Sequence, residues 1–177
     1  MIYIVRHGET DANITNTIRG SYFDDDLNAA GREQAKATAE QLKGIHFDIC
    51  FCSPLKRSLQ TCEPIFSGEI ILDKRLLPRD YGELIKLGET SDWLDKNGYW
   101  NRDLNHHVKN GETVRQTEMR IKGFLDETMN KYTGRNVLIV AHGSIMSLMK
   151  GILDNFSRGA ECRLYKTANC EIVKIEN

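Results

Sequence analysis

Two arginines and two histidines stand where apolar stretches of this sequence give way to polar ones. In "IYIVRHGETDAN" (2–13) four apolar residues run straight into Arg6 and His7. In "CSPLKRSLQT" (52–61) Arg57 falls in the first turn of a helical pattern, and in "NVLIVAHGS" (136–144) an apolar run ends at His142, followed by Gly143 and a helix start. A single histidine after a strand is more often structural, and an arginine in a first helical turn is more often solvated or ion-paired. Four such groups at strand ends and helix starts fit one pocket better than four separate accidents. Two helix N-termini aimed at the same place would add partial positive charge and free N–H donors. A pocket of that kind suits a doubly charged tetrahedral anion, which is a phosphate.

The elements that must position these groups follow from periodicity. Residues 2–5, 47–53, 69–73 and 136–142 read as strands, the last apolar through five consecutive positions as expected of a central parallel strand covered on both faces. Residues 170–176 alternate and suit an edge. Between the strands lie helical patterns. In 28–44, Asn28 can cap, Ala35, Ala39 and Leu42 share a face, and Gly44 can end the helix. In the next, Ser53 can cap and Pro54 takes the favoured first helical position. Residues 112–132 put Val114, Ile121, Leu125 and Met129 on one stripe, and 143–153 follow the strongest strand at once. Strands alternating with helices predict an α/β fold with a mainly parallel central sheet flanked by helices, a three-layer arrangement. Residues 83–111 carry Trp93, Tyr99, Trp100, His106 and His107 with little periodicity and are expected to lie, partly helical, as a lid over one end of the sheet. In open α/β sheets ligands sit beyond the carboxyl ends of the strands.

Composition narrows the partners. The chain has 177 residues, 28% of them charged, with a net charge of −1. That predicts one domain over 1–177, burying roughly two-thirds of its unfolded surface. It lacks the concentrated basic excess that nucleic acid or an anionic membrane calls for, so neither partner is expected. Five cysteines without framework spacing read as reduced thiols, and no apolar run approaches the ~18 residues of a membrane span, which predicts a cytoplasmic protein. Cys50 and Cys52 read as core. His106-His107 lacks helical ligand spacing, and no metal is expected. Asp24-Asp25-Asp26 reads as a solvated loop, since adjacent side chains diverge. Trp93 and Trp100, seven apart, would share a helix face and pack the lid down.

Taken together the motifs resemble the histidine phosphatase superfamily, in its phosphoglycerate mutase-like branch. "VRHGETDAN" resembles its Arg-His-Gly-Glu-Thr signature, "DDDLNAAGREQA" and "CSPLKRSLQT" its next two blocks, and "NGETVRQTEMR" and "VLIVAHGS" the later ones. His142-Gly143 is similar to the mutase-like branch rather than the acid phosphatases. The resemblance implies that His7 is a nucleophile that becomes phosphorylated, that Arg6, Arg57 and His142 hold the phosphoryl oxygens, and that Asn13, Thr10, Gly20, Gly143, Ser144 and Tyr81 contact the substrate. It implies no metal and no cofactor. One departure stands out. The family's proton donor is a glutamate four residues before the glycine of an aromatic-glycine pair; in "LLPRDYGE" (76–83) that position is Pro78. Asp80 and Glu83 are the nearby carboxylates, with Glu83 preferred because it begins the lid. The implied function is hydrolysis of a small phosphorylated metabolite through a phosphohistidine. Phosphoglycerate mutase-type transfer, or a weakly active phosphate-binding protein, is the alternative.

Overall fold

A computed structural model describes residues 1–176. Five strands, β1 (Ile2–Arg6), β2 (Ile49–Cys52), β3 (Ile70–Leu72), β4 (Val137–Ala141) and β5 (Ile172–Ile175), form one sheet in the order β3-β2-β4-β1-β5. The first four are parallel; β5 closes the β1 edge antiparallel. The helices are α1 (Asp11–Ile14), α2 (Ala29–Gln41), α3 (Lys56–Cys62), α4 (Ser91–Lys96), α5 (Val114–Lys131) and α6 (Gly143–Leu153). This is the expected α/β fold.

Side-chain alternation builds its layers. Ile2 and Ile4, with Phe51, Val137, Ile139 and Ala141, pack against Ile121, Phe124, Leu125, Ile145, Met146 and Met149 of α5 and α6. Tyr3 and Val5, with Cys50, Cys52, Leu138 and Val140, pack toward Leu42, Phe47 and Cys62 beside α2 and α3. All five residues of β4 are buried, which is why that strand has an unbroken apolar run rather than an alternating one. Cys50 and Cys52 are core, with Cys50 Sγ 3.2 Å from Cys62 Sγ.

Two local expectations are corrected. The helix carrying Arg57 starts at Lys56 with Leu55 at its cap position, so Ser53 and Pro54 precede it and Ser53 caps nothing. The orphan N–H of Lys56 is met instead by Asp24 Oδ1, at 2.6 Å, from a loop 32 residues earlier. Trp93 and Trp100 do not share a helix face, because α4 ends at Lys96. Trp93 stacks on Tyr99, while Trp100 is buried edge-on to Tyr81. The stretch 83–111 holds most of a 3₁₀ helix (Gly82–Leu87) and α4, and docks through Leu94 and Trp100 on Val114, Leu148 and Cys162.

Candidate functional site

The carboxyl ends of β1 and β4 are adjacent in register, Arg6 opposite Ala141, and His7 N–H donates to the Ala141 carbonyl at 2.9 Å. That pairing delivers His7 and His142 side by side, with ring centroids 5.1 Å apart. Helix α3 supplies Arg57 and ties the His7 loop down: Gly8 N–H donates to Thr61 Oγ1 at 2.9 Å. Gly8 itself is dictated by a close backbone approach, since a Cβ there would fall 2.5 Å from the Gly31 carbonyl oxygen, and one on Gly31 only 2.1 Å from that of Glu9. Arg6, His7, Arg57 and His142 all line a cavity of about 140 Å³. Asn13, Thr10, Gly20, Gly143, Ser144 and Tyr81 line it too, as does Pro78.

The hydrogen bonds define each group's chemistry. His7 Nδ1 lies 2.7 Å from the Gly8 carbonyl, an acceptor only, so Nδ1 carries the proton and Nε2 keeps its lone pair. Burial, then the Arg57 and Arg6 charges, lower the His7 pKa to about 3, so the ring is neutral at physiological pH. His142 is likewise held well below its ordinary value by burial and by Arg57. Its Nε2 meets Ser53 Oγ at 2.7 Å, and its buried Nδ1 has no hydrogen-bond partner. The Arg57 guanidinium donates to the carbonyls of Phe23 at 2.8 Å and Gly20 at 3.3 Å; burial lowers its pKa only to about 10, so it stays charged. Arg6 is half-buried among the same groups and donates from Nη1 to the Thr167 carbonyl, leaving Nε unpartnered. It passes so close to the backbone of α6 that a Cβ on Gly143 would lie 3.0 Å from its Cζ. The α6 N-terminus has no side-chain cap, so its first N–H groups are available to an anion.

Asn13 is fixed by three donors on its Oδ1: Thr10 N–H, Thr10 Oγ1 and Asn169 Nδ2, at 3.1–3.2 Å. That arrangement turns its NH₂ toward the cavity. A second cavity of about 380 Å³ adjoins the first, sharing Arg6, Asn13, Tyr81 and Ser144 as walls and adding Asp95, Trp100, Lys166 and Asn169. Asp95 and Lys166 pair at 2.6 Å there.

Glu83, the carboxylate preferred as proton donor, lines neither cavity. Its Oε1 accepts from Asn110 Nδ2 at 3.0 Å and lies 3.3 Å from Lys109 Nζ on the outer side of the 3₁₀ helix. Asp80 is no better placed, its Oδ1 capping Gly82 N–H. Sequence reasoning passed over Ser53, Arg19, Asp25 and Asn169. Arg19 could have been suspected from its place beside Gly20; Asn169 comes from a loop with no local signature. Among the described residues no group of three or more histidine, cysteine or acidic side chains is arranged to hold a metal ion.

A profile of the histidine phosphatase superfamily (branch 1) matches residues 2–177. The 2,3-bisphosphoglycerate-dependent phosphoglycerate mutase of Rhizobium meliloti (strain 1021) is 32% identical over 171 residues, spanning 89% of this chain and 81% of the relative. Among solved structures, the phosphoserine phosphatase of Entamoeba histolytica superposes with a TM-score of 0.81 at 24% identity, covering 97% of this chain and 87% of that one. A mycobacterial glucosyl-3-phosphoglycerate phosphatase gives a TM-score of 0.79 at 23% identity, with 97% and 87% covered. From its first strand to its last, the chain belongs to the histidine phosphatase superfamily.

Proposed function

We propose that the protein is a phosphomonoesterase that passes the phosphoryl group of a small ester to His7 Nε2 and then to water. One observation carries the reading: a neutral histidine with its Nδ1 proton committed to a carbonyl and its Nε2 unprotonated, in a cavity shared with two arginines. The Nε2 lone pair forms the bond to phosphorus as the ester P–O bond breaks, and water then cleaves the P–N bond. Arg6, Arg57 and the α6 N-terminus neutralise the equatorial oxygens, where stabilisation of transition-state charge does most of the work in phosphoryl transfer. Those fixed cations fill the place a metal would otherwise take. A Ser53 hydroxyl that donates to His142 Nε2 leaves Nδ1–H as a further donor, and Asn13 adds its NH₂.

The adjoining 380 Å³ cavity has room for a metabolite-sized leaving group, with residues 83–111 as its cover. A reducing compartment such as the cytoplasm would keep the five cysteines as thiols. Phosphoglycerate mutase-type transfer is the second reading, favoured by the identity with curated mutases. The test uses purified protein and ³²P-labelled 3-phosphoglycerate or sugar phosphates. Acid-labile label on the wild type, absent from His7→Ala, with free phosphate as product, is expected. Label persisting in His7→Ala would refute the nucleophile, and 2-phosphoglycerate in place of phosphate would make the protein a mutase.

A further inference from the structure

Of the three consecutive aspartates, the outer two are committed to α3. Asp24 caps Lys56 N–H and Asp26 Oδ1 accepts from Gln60 Nε2, each at 2.6 Å. With both neighbours held there, Asp25 turns the other way and lines the inner cavity with His7, Arg19 and Arg57; no other carboxylate does so among the described residues. Its Oδ2 lies 3.2 Å from Arg19 Nε. The two are not aligned as a hydrogen bond, and both atoms are buried with no hydrogen-bond partner. Unsatisfied buried groups are rare enough to call for an explanation, and here both border the place where the ester would sit. Pro78 faces the same cavity and carries no proton.

We propose that Asp25 is the general acid of the reaction, giving its proton to the leaving oxygen and recovering one from the attacking water. The inference rests on the phosphohistidine reading above. In the first step the His7 Nε2 lone pair bonds to phosphorus, the P–O electrons go to the leaving oxygen, and the Asp25 proton completes the alcohol. In the second step water attacks phosphorus, its proton passes to the Asp25 carboxylate, and the P–N electrons return to Nε2. Asp25 ends protonated, as it began.

Charged and titratable groups face Asp25 from several elements. Arg19 comes from its own side of the cavity, Arg57 from α3, Arg6 and His7 from β1 and the turn after it, His142 from the start of α6, and Asp24 and Asp26 flank it in sequence. A phosphate ester draws Arg19 and Arg57 to its oxygens and places its negative charge beside Asp25. An ester that arrives as the monoanion brings the proton with it.

The experiment compares Asp25→Asn with wild type on p-nitrophenyl phosphate, whose leaving group departs unaided, and on glycerol phosphate, whose alkoxide does not. Loss of general acid assistance is worth about 10²–10⁴ in rate. Read as the single-turnover rate of His7 phosphorylation, which precedes the step common to both esters, the reaction should slow by about 100-fold or more with glycerol phosphate and by less than about tenfold with p-nitrophenyl phosphate. The aryl ester doubles as the check that Asp25→Asn is folded. Asp25→Glu should recover part of the alkyl ester activity, and Glu83→Gln should behave as wild type on both. Equal losses on the two esters, or no loss on either, would overturn the assignment while leaving His7 labelling intact. No label on wild-type His7 with either ester would overturn the phosphohistidine reading itself.

Discussion

Burying two neutral histidines at one site makes the fold acid-sensitive in a calculable way. Above pH 6.5 the imidazoles are neutral in both the folded and unfolded chain and contribute no pH dependence. Below it the unfolded chain takes up protons that the folded chain refuses, because burial and the Arg57 and Arg6 charges hold His7 at about 3 and keep His142 well below its ordinary value. For His7, stability therefore falls with pH across a window from 6.5 down toward 3, at about 1.4 kcal/mol per pH unit. Between pH 6.5 and 5.0 His7 costs about 2 kcal/mol, and His142 acts in the same direction. Out of a total of roughly 5–15 kcal/mol this is a large share. Urea unfolding at 25 °C between pH 7.5 and 5.0 measures it, with His7→Gln and His142→Gln beside the wild type. His7→Gln should flatten the profile by about 2 kcal/mol over that interval, and His142→Gln should flatten it in the same direction, since Gln has no proton to refuse. Carboxylates elsewhere contribute equally to all three proteins and cancel. Parallel profiles for wild type and variants would refute the claim that these imidazoles are buried neutral.

Two further perturbations probe the frame of the site. Gly31→Ala puts a Cβ 2.1 Å from the Glu9 carbonyl, against backbone that cannot swing aside, and overpacking of this kind costs about 1–3 kcal/mol. Calorimetry should show a Tm lowered by several degrees, and an unchanged Tm would mean that α2 and the His7 loop are not in contact. Ser53→Ala removes the shorter of the two hydroxyl contacts on His142 Nε2, leaving only Ser58 Oγ at 3.4 Å to hold the tautomer, and should lower kcat by about tenfold with a smaller change in KM. A kcat within twofold of wild type would show that Ser53 does not orient the imidazole.

The sheet was legible in the sequence because strand signals are local. The unbroken run at 137–141 marks a strand covered on both faces, and the alternation near the C-terminus marks an edge; each is visible without knowing the partner. Arg6, His7, Arg57 and His142 were legible for a related reason. Parallel strands share a carboxyl end, so groups placed just after such strands must gather at one rim. Helix ends were read less well. Ser53-Pro54 has the local form of an N-terminus, yet the helix begins at Lys56, because Asp24 caps it from a distant loop and His142 claims the Ser53 hydroxyl.

The carboxylates show the same boundary most sharply. Glu83 stands near the expected motif position, but the turn at Gly82 directs it to Asn110 and Lys109 on the outside. Asp25 looked like one of three interchangeable solvated acids until α3 claimed its neighbours. By itself the sequence determined the order of strands and helices and the cationic rim, since both follow from backbone periodicity and the direction of the chain. Which carboxylate faces that rim, which hydroxyl orients His142 and which amide steadies Asn13 were decided by contacts between residues far apart in the chain, and only tertiary packing creates those.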